Sequence, residues 1–368
     1  MLFSERDIDV LRLVCWCQYI QPERLSGIAT ETVIQNLITF GLLKCHVKSK
    51  ALVLTAKGFS FLQTVFPTGI PILAQSYHDA AIQRRLRQSM LVLTSYCGGA
   101  DIFITSPEGL SDSPSLFLPT ITRGHGINPW GNVRVAAISH LGDLICAMHY
   151  VCPGIGRLTL TDELSAFNNQ TAQFQNVRRA FIFGGENYSN ILAELEASDT
   201  MADSKLVSYV EAYRNLQLPV HLLSCDDTGA VQLQIMSVPD YRQRLTKAAL
   251  KSQYQPPDNP AWDALFQGIP FVMAADMDLR RLDAAISIAR QEGYHQIAVA
   301  ALEGQAETVL FPRYRDTGKA RVFILTSEAI TEVTGRPPVP YVPPRTQFLT
   351  AEGDVIDAPS FKAPGRAG

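Results

Sequence analysis

No stretch of the 368-residue chain approaches the roughly 20 consecutive apolar residues that a helix needs to cross a bilayer, so no membrane span or membrane partner is expected. Cysteine is scarce as well. Seven are present, an odd number without regular spacing, which supplies no disulfide framework, and Cys15, Cys17, Cys97 and Cys146 lie in apolar runs. A reducing cytoplasm is the expected setting. Glu5, Asp7 and Asp9 stand where a secretory leader would carry positive charge, so export by that route is not expected. The chain contains no Gly-x-Gly-x-x-Gly, no Walker lysine and no Gly-x-Ser-x-Gly elbow, so no cofactor is expected and no motif supports catalysis. Nor is there an excess of one charge. With 32 basic against 35 acidic residues the net charge is −3, which argues against a chain that coats nucleic acid along its whole surface.

The charge is unevenly spread. Residues 1–97 hold ten basic residues (Arg6, Arg12, Arg24, Lys44, Lys48, Lys50, Lys57, Arg84, Arg85, Arg87) against six acids (Glu5, Asp7, Asp9, Glu23, Glu31, Asp79), a balance of +4 that leaves the remainder at −7.

This basic front has the periodicity of a winged helix-turn-helix over residues 1–66. Ile8, Leu11, Val14 and Cys15 recur at helical spacing behind a Ser4 cap, and Pro22 suits the first turn of a short helix to Ser26. Thr30 caps a third helix with an apolar stripe of Val33, Ile34, Leu37 and Ile38 that stops at Gly41. Residues 42–50 and 51–54 alternate like a hairpin, and Thr55 opens a closing helix to Phe66.

Pro67, Gly69 and Pro71 then break the pattern. Residues 67–100 read as a connecting helix, with Ser76 and Asp79 as a capping box and Ile82, Leu86, Met90 and Leu93 as its stripe. Residues 101–255 read as an α/β domain: a strand at 102–105, an irregular segment at 108–130, a hairpin of 133–139 and 144–151, then helices and strands in alternation, with strands at 179–183, 220–224 and 231–236. Residues 256–334 read as a βαβ unit (270–275, 279–291, 296–301) followed by a hairpin of 308–311 and 321–325. The pattern leaves open whether this segment continues the preceding sheet or forms a small third domain. Residues 335–368 read as a proline-rich tail, and 358–368 as a mobile end. The expected class is thus α/β (α+β), a winged helix ahead of a mixed-sheet region.

In a helix-turn-helix the third helix offers its outward side chains to base edges in the major groove. Here these are Glu31, Thr32, Gln35, Asn36 and Thr39, and the Gln35 and Asn36 amides suit bidentate pairing with adenine. That helix has no Lys or Arg. Phosphate contacts therefore fall to Lys44, Lys48 and Lys50 on the wing, each releasing counterions on binding. Arg84, Arg85 and Arg87, expected on the solvent face of the next helix, extend one positive surface, although a plain solvated face explains such a run too.

Other clusters favour structural roles. His140, Asp143, Cys146, His149 and Cys152 crowd together, but a hairpin alternates them between faces and no ligand pair has zinc spacing, so no metal site is expected. Gly184, Gly185 and Glu186 follow a strand and fit a tight turn better than a phosphate cradle. Asp276 and Asp278 end a strand where open sheets place ligands; as a pair they could hold a cation, yet Asp278 serves equally as a helix cap, and the cap is favoured.

The front resembles the plasmid replication-relaxation family of winged-helix proteins of plasmids and integrative conjugative elements. The resemblance rests on Glu5-Arg6-Asp7 with Leu11, on Phe40-Gly41-Leu42-Leu43, on Leu54-Thr55-Ala56-Lys57-Gly58 and on the helix after His78. It implies a DNA-binding accessory or regulatory protein of replication, relaxation or transfer, with a second domain similar to the restriction-endonuclease fold. In such a domain the hairpin 133–151 would carry Asp and Glu-x-Lys; Asp143 is present, but Cys146-Ala147-Met148-His149-Tyr150 lacks Glu-x-Lys, so an inactive scaffold is expected. Duplex DNA, a second copy spanning half-sites about 34 Å apart, and replication or conjugation proteins are the expected partners. The competing functions are a metal-dependent nuclease using Asp143, or Asp276 with Asp278, and a winged helix that docks protein.

Overall fold

A capping box starts the first helix of the computed structural model. The Ser4 hydroxyl accepts from the Asp7 N–H (3.3 Å) while the Ser4 N–H donates to Asp7 Oδ2 (2.8 Å), which joins β1 (Phe3–Ser4) to α1 (Glu5–Cys17). The structure describes residues 3–67, 69–71, 78–123, 130–131, 133–152, 159–196, 208–338, 347–349 and 355–357. The expected Ser76 cap, the 358–368 tail and most of the 335–368 segment fall outside them.

α1 buries its expected stripe and also Val10, Leu13, Trp16 and Cys17, so it is a core helix covered on nearly every side. After it, Pro22–Leu25 forms a single 3-10 turn instead of a short α-helix. α2 (Glu31–Thr39) starts at Thr30, whose hydroxyl accepts from the Val33 N–H (3.4 Å), and ends at Gly41, where φ is +69°. Ile34 and Leu37 are its buried residues; Val33 and Ile38 are half-buried.

The hairpin is shorter than its alternation suggests. β2 (Leu43–Cys45) and β3 (Leu52–Leu54) pair antiparallel with Lys44 opposite Val53, and residues 46–51 form the turn. α3 (Ala56–Val65) follows, and the Leu54-to-Gly58 signature has a separate task at three of its positions. The Thr55 hydroxyl caps α3 by accepting from the Gly58 N–H (3.0 Å), Lys57 Nζ donates to the Phe40 carbonyl at the end of α2 (2.9 Å), and a Cβ on Gly58 would overlap the Leu42 carbonyl oxygen. α4 (Asp79–Cys97) lays Ile82 and Leu86 onto Tyr19, Ala51 and Val53.

Two compact units result: Met1–Ser89 with Val342–Gly368, and Met90–Tyr341. The boundary falls inside α4.

The second unit is a mixed α/β body built on two sheets. In the first, β4 (Asp101–Ile104), β5 (Ser115–Phe117), β6 (Ala137–Leu141), β7 (Leu144–Tyr150), β8 (Arg178–Gly185) and β9 (Val220–Ser224) lie side by side in chain order. β6 runs antiparallel to both neighbours, and the other pairs are parallel. Short α5 (Pro119–Arg123) follows β5, α6 (Leu160–Gln170) crosses from β7 to β8, and α7 (Tyr188–Glu196) and α8 (Tyr209–Asn215) cross to β9. The expected irregular stretch at 108–130 therefore includes a strand, a helix and a 3-10 turn at Pro107–Ser111, because Leu110, Leu116, Phe117 and Ile121 are apolar enough to be buried between its prolines and serines.

The 231–236 segment corrects the sequence reading. It belongs to α9 (Asp227–Met236), capped by Asp226. Its alternation of apolar residues with glutamine suggests a half-exposed strand, but both glutamines are buried by bonding elsewhere. Gln232 Nε2 donates to the carbonyls of Leu222 (2.8 Å) and Asp276 (3.0 Å), and Gln234 Nε2 to the Thr334 hydroxyl (3.0 Å).

α10 (Tyr241–Leu250) leads to the second sheet. In it β10 (Ala264–Phe266) pairs antiparallel with β11 (Ile269–Met273), α11 (Leu279–Gln291) crosses to parallel β12 (Ile297–Ala301), and β13 (Ala320–Ile324) lies parallel beyond β12. This four-stranded sheet is separate from the first. The hairpin expected from 308–325 is absent: α12 (Glu303–Gln305) continues into a wide π-helix, Ala306–Arg315. Val309, Leu310 and Tyr314 are buried along it, so the apolar residues Val309 and Leu310 are covered by packing of a helix and not of a strand. α13 (Ser327–Thr334) ends the unit, and β14 (Gln347–Leu349) and β15 (Val355–Asp357) add to β1 in the first unit.

Candidate nucleic-acid interface

Burial of Ile34 and Leu37 fixes the rotation of α2, and Glu31, Thr32, Gln35, Asn36 and Thr39 are exposed as a result. The Gln35 and Asn36 amides make no hydrogen bond among the described residues. Thr39 is partly committed, since its hydroxyl donates to the Gln35 carbonyl one turn earlier (2.9 Å). No cation stands on α2 itself, but exposed Lys57 is bonded to the carbonyl of Phe40, the residue that ends it. Lys57 was not among the expected contacts, although it is part of the Leu54-to-Gly58 signature.

Lys44, Lys48 and Lys50 are exposed on the hairpin. The turn between the strands is held by several bonds. His46 N–H donates to Ala51 O (2.8 Å), Lys50 N–H to His46 O (2.9 Å), Ser49 N–H to His46 Nδ1 (3.2 Å), and Gln21 Nε2 to Ser49 O (3.1 Å). Lys50 takes a positive φ of 58°, and Val47 at the tip is 82% exposed. Cross-strand partners share a face, so Lys44 is on the side of the hairpin that carries Val53, the side against which Ile82 and Leu86 pack. That brings the hairpin lysines and the first half of α4 onto one scaffold.

The three arginines of α4 are not equivalent, which corrects the expectation that all face solvent. Arg84 is exposed; Arg85 and Arg87 are half-buried. Arg85 Nη1 donates to Gln88 Oε1 (3.0 Å), and its charge also acts on buried Cys17, whose thiol is pushed up by burial and drawn down by Arg85. Lys48 Nζ stands 3.7 Å from Asp79 Oδ1 at the start of α4, an exposed pair that offsets part of the hairpin's charge.

The second unit occupies its candidate residues otherwise. Asp143 forms an ion pair with Arg178. Cys146 and His149 point to opposite faces of β7 and both are buried; among the described residues no group of three His, Cys, Asp or Glu converges on a point. His140 Nδ1 bonds the Leu110 carbonyl (2.7 Å). His149 stacks on Phe181 at 12° between planes, and burial lowers its pKa to about 3. Glu163 faces it at 3.9 Å.

A Cβ on Gly184 or Gly185 would meet Leu91 or Ile191, so close packing is the reason for this glycine pair. Asp278 is a helix cap, its carboxylate accepting from the Arg281 N–H (3.1 Å). Asp276 is buried against Tyr241 Oη (2.7 Å) and Arg242 Nη2 (2.5 Å). Burial pushes its carboxyl up, but Arg242, His221 and Arg281 outweigh that and hold it low.

No family model, curated protein or solved structure matches the chain. The functional reading therefore stands on these residues and their arrangement.

Proposed function

We propose that the first unit is a winged helix that binds duplex DNA, making the chain a DNA-binding accessory or regulatory protein of a plasmid or conjugative element, acting in replication, relaxation or transfer. The observation that carries this reading is the pairing of two exposed sets on one small unit: uncommitted amides on α2 at Gln35 and Asn36, and cations on the adjoining hairpin at Lys44, Lys48 and Lys50. The first set has the chemistry to read base edges, the second to replace counterions on phosphate. Thr32 and Thr39 flank the amides, and Arg84 with Lys57 extends the positive charge. Arg85 and Arg87 contribute less because each is half-buried.

The nuclease reading is weaker. Each of its three aspartates already has a guanidinium nearby, Arg178 at Asp143 and Arg242 at both Asp276 (2.5 Å) and Asp278 (3.9 Å), which a divalent cation would have to displace. The test of DNA binding is fluorescence anisotropy of the full chain with labelled duplex at two salt concentrations. Binding that weakens steeply with salt, and loses slope in a Lys48→Ala, Lys50→Ala variant, is expected. Absence of binding at low salt would overturn the proposal.

A further inference from the structure

Three large apolar side chains are exposed among the described residues, and two of them, Phe323 (39%) and Ile324 (46%), are adjacent on β13. β13 is also the outer strand of its sheet. Its inner edge is fixed by two bonds: Leu325 N–H donates to Ala301 O (2.9 Å), and Ile297 N–H to Lys319 O (3.3 Å). Backbone groups alternate between the two edges of a strand, so Ala320, Val322 and Ile324 turn their N–H and C=O outward. None of these outward groups has a hydrogen-bond partner among the described residues.

The other sheet edges of this unit are guarded. Leu222 of β9 donates to Met277 O (3.2 Å), Leu265 of β10 donates to Gln255 O (2.9 Å), and β4 places exposed Asp101 at its start. Charge at an edge, or a segment laid over it, is how sheets avoid pairing with other chains. β13 has one charge, Arg321, and its guanidinium is turned sideways onto the side-chain amide of Gln296.

We infer that β13 pairs antiparallel with β13 of a second copy, joining two four-stranded sheets across a two-fold axis at Val322. The inference stands apart from DNA binding. Self-complementarity selects the occupant. With the axis on Val322, the outward groups of Val322 bond those of the second Val322, and Ala320 and Ile324 bond each other reciprocally, so all six outward groups on each strand are satisfied. Small Ala320 then faces large Ile324, and Arg321 faces Phe323 instead of another arginine. Moving the axis to Arg321 would set two guanidinium groups opposite each other, and moving it to either end would leave outward groups unpaired.

Analytical ultracentrifugation of the full chain tests this. The wild type is expected to sediment as a dimer at micromolar concentration. Val322→Pro removes one outward N–H per copy without touching the bonds to β12, and Ile324→Lys places charge at the seam; each should weaken self-association about tenfold or more. Circular dichroism identifies any variant that fails to fold, in which case the other variant decides. In a Val322→Cys variant, a disulfide joining two chains is expected, since bonded antiparallel partners have Cα atoms about 5.5 Å apart. A monomeric wild type, or a dimer unaffected by both substitutions, would overturn the inference; a monomer would leave the edge to a strand from a different protein.

Discussion

Lys48 at the hairpin turn reaches Asp79 at the first turn of α4, Nζ to Oδ1 3.7 Å, with about three quarters of each side chain in solvent. The pair is too exposed to hold the unit together. Its effect falls on the hairpin's field, because Asp79 offsets one of the hairpin's positive charges.

Asp79→Asn should therefore tighten DNA binding at low salt and leave stability unchanged within about 0.5 kcal/mol. Anisotropy titrations should show a gain of about twofold to fivefold that fades as salt rises. An unchanged or weaker affinity would mean that Lys48 does not meet DNA.

Gln35 and Lys50 should fail differently. Gln35→Ala is expected to cost about 1–3 kcal/mol on a preferred site and little on random duplex, because an amide bonded to a base edge carries sequence information. Lys50→Ala should weaken every duplex alike and lower the salt slope by about one. Competition binding with specific and random duplex separates the two patterns, and equal losses for both variants on both duplexes would count against the assignment of α2 to base edges.

The helix boundaries within residues 4–66 were legible because they are local chemistry: Ser4, Thr30 and Thr55 each cap a helix through their own hydroxyls, and Gly41 supplies the positive φ that ends α2. The strands Gln347–Leu349 and Val355–Asp357, in the segment expected as a proline-rich tail, were not, because the sheet they form with Phe3–Ser4 joins opposite ends of the sequence. Interior polar residues were harder. Gln232 and Gln234 mimic the solvent side of a strand, and only the distant carbonyls of Leu222 and Asp276 and the hydroxyl of Thr334 explain why they are buried on a helix. The same limit applies at the candidate interface. Composition marks Arg84, Arg85 and Arg87 as one run, but whether each reaches solvent depends on how Ile82 and Leu86 seat the helix. Asp79 as a partner of Lys48 likewise depends on packing between separated segments.

Gly58 should be among the least replaceable residues of the first unit. Its missing side chain lets α3 start against the Leu42 carbonyl, and Gly58→Ala should cost about 2–4 kcal/mol through overpacking in urea unfolding. Gly27 is the control: nothing lies within 4 Å of a Cβ there and its φ is not positive, so Gly27→Ala should be neutral or stabilising by up to about 1 kcal/mol. Equal effects at both positions would contradict the close approach.

His149 gives the second unit a pH dependence of definite sign. Burial lowers its folded pKa to about 3, below the value near 6.5 of an unfolded histidine, so between those values the unfolded chain binds the additional proton. Stability from this group is complete above about pH 6.5 and declines as pH falls toward 3, by up to about 1.4 kcal/mol per unit. His149→Phe removes the titration while keeping a flat ring against Phe181. Urea unfolding between pH 4 and 7 should accordingly show a shallower acid decline in the variant than in the wild type. Parallel curves would assign the acid sensitivity to other groups.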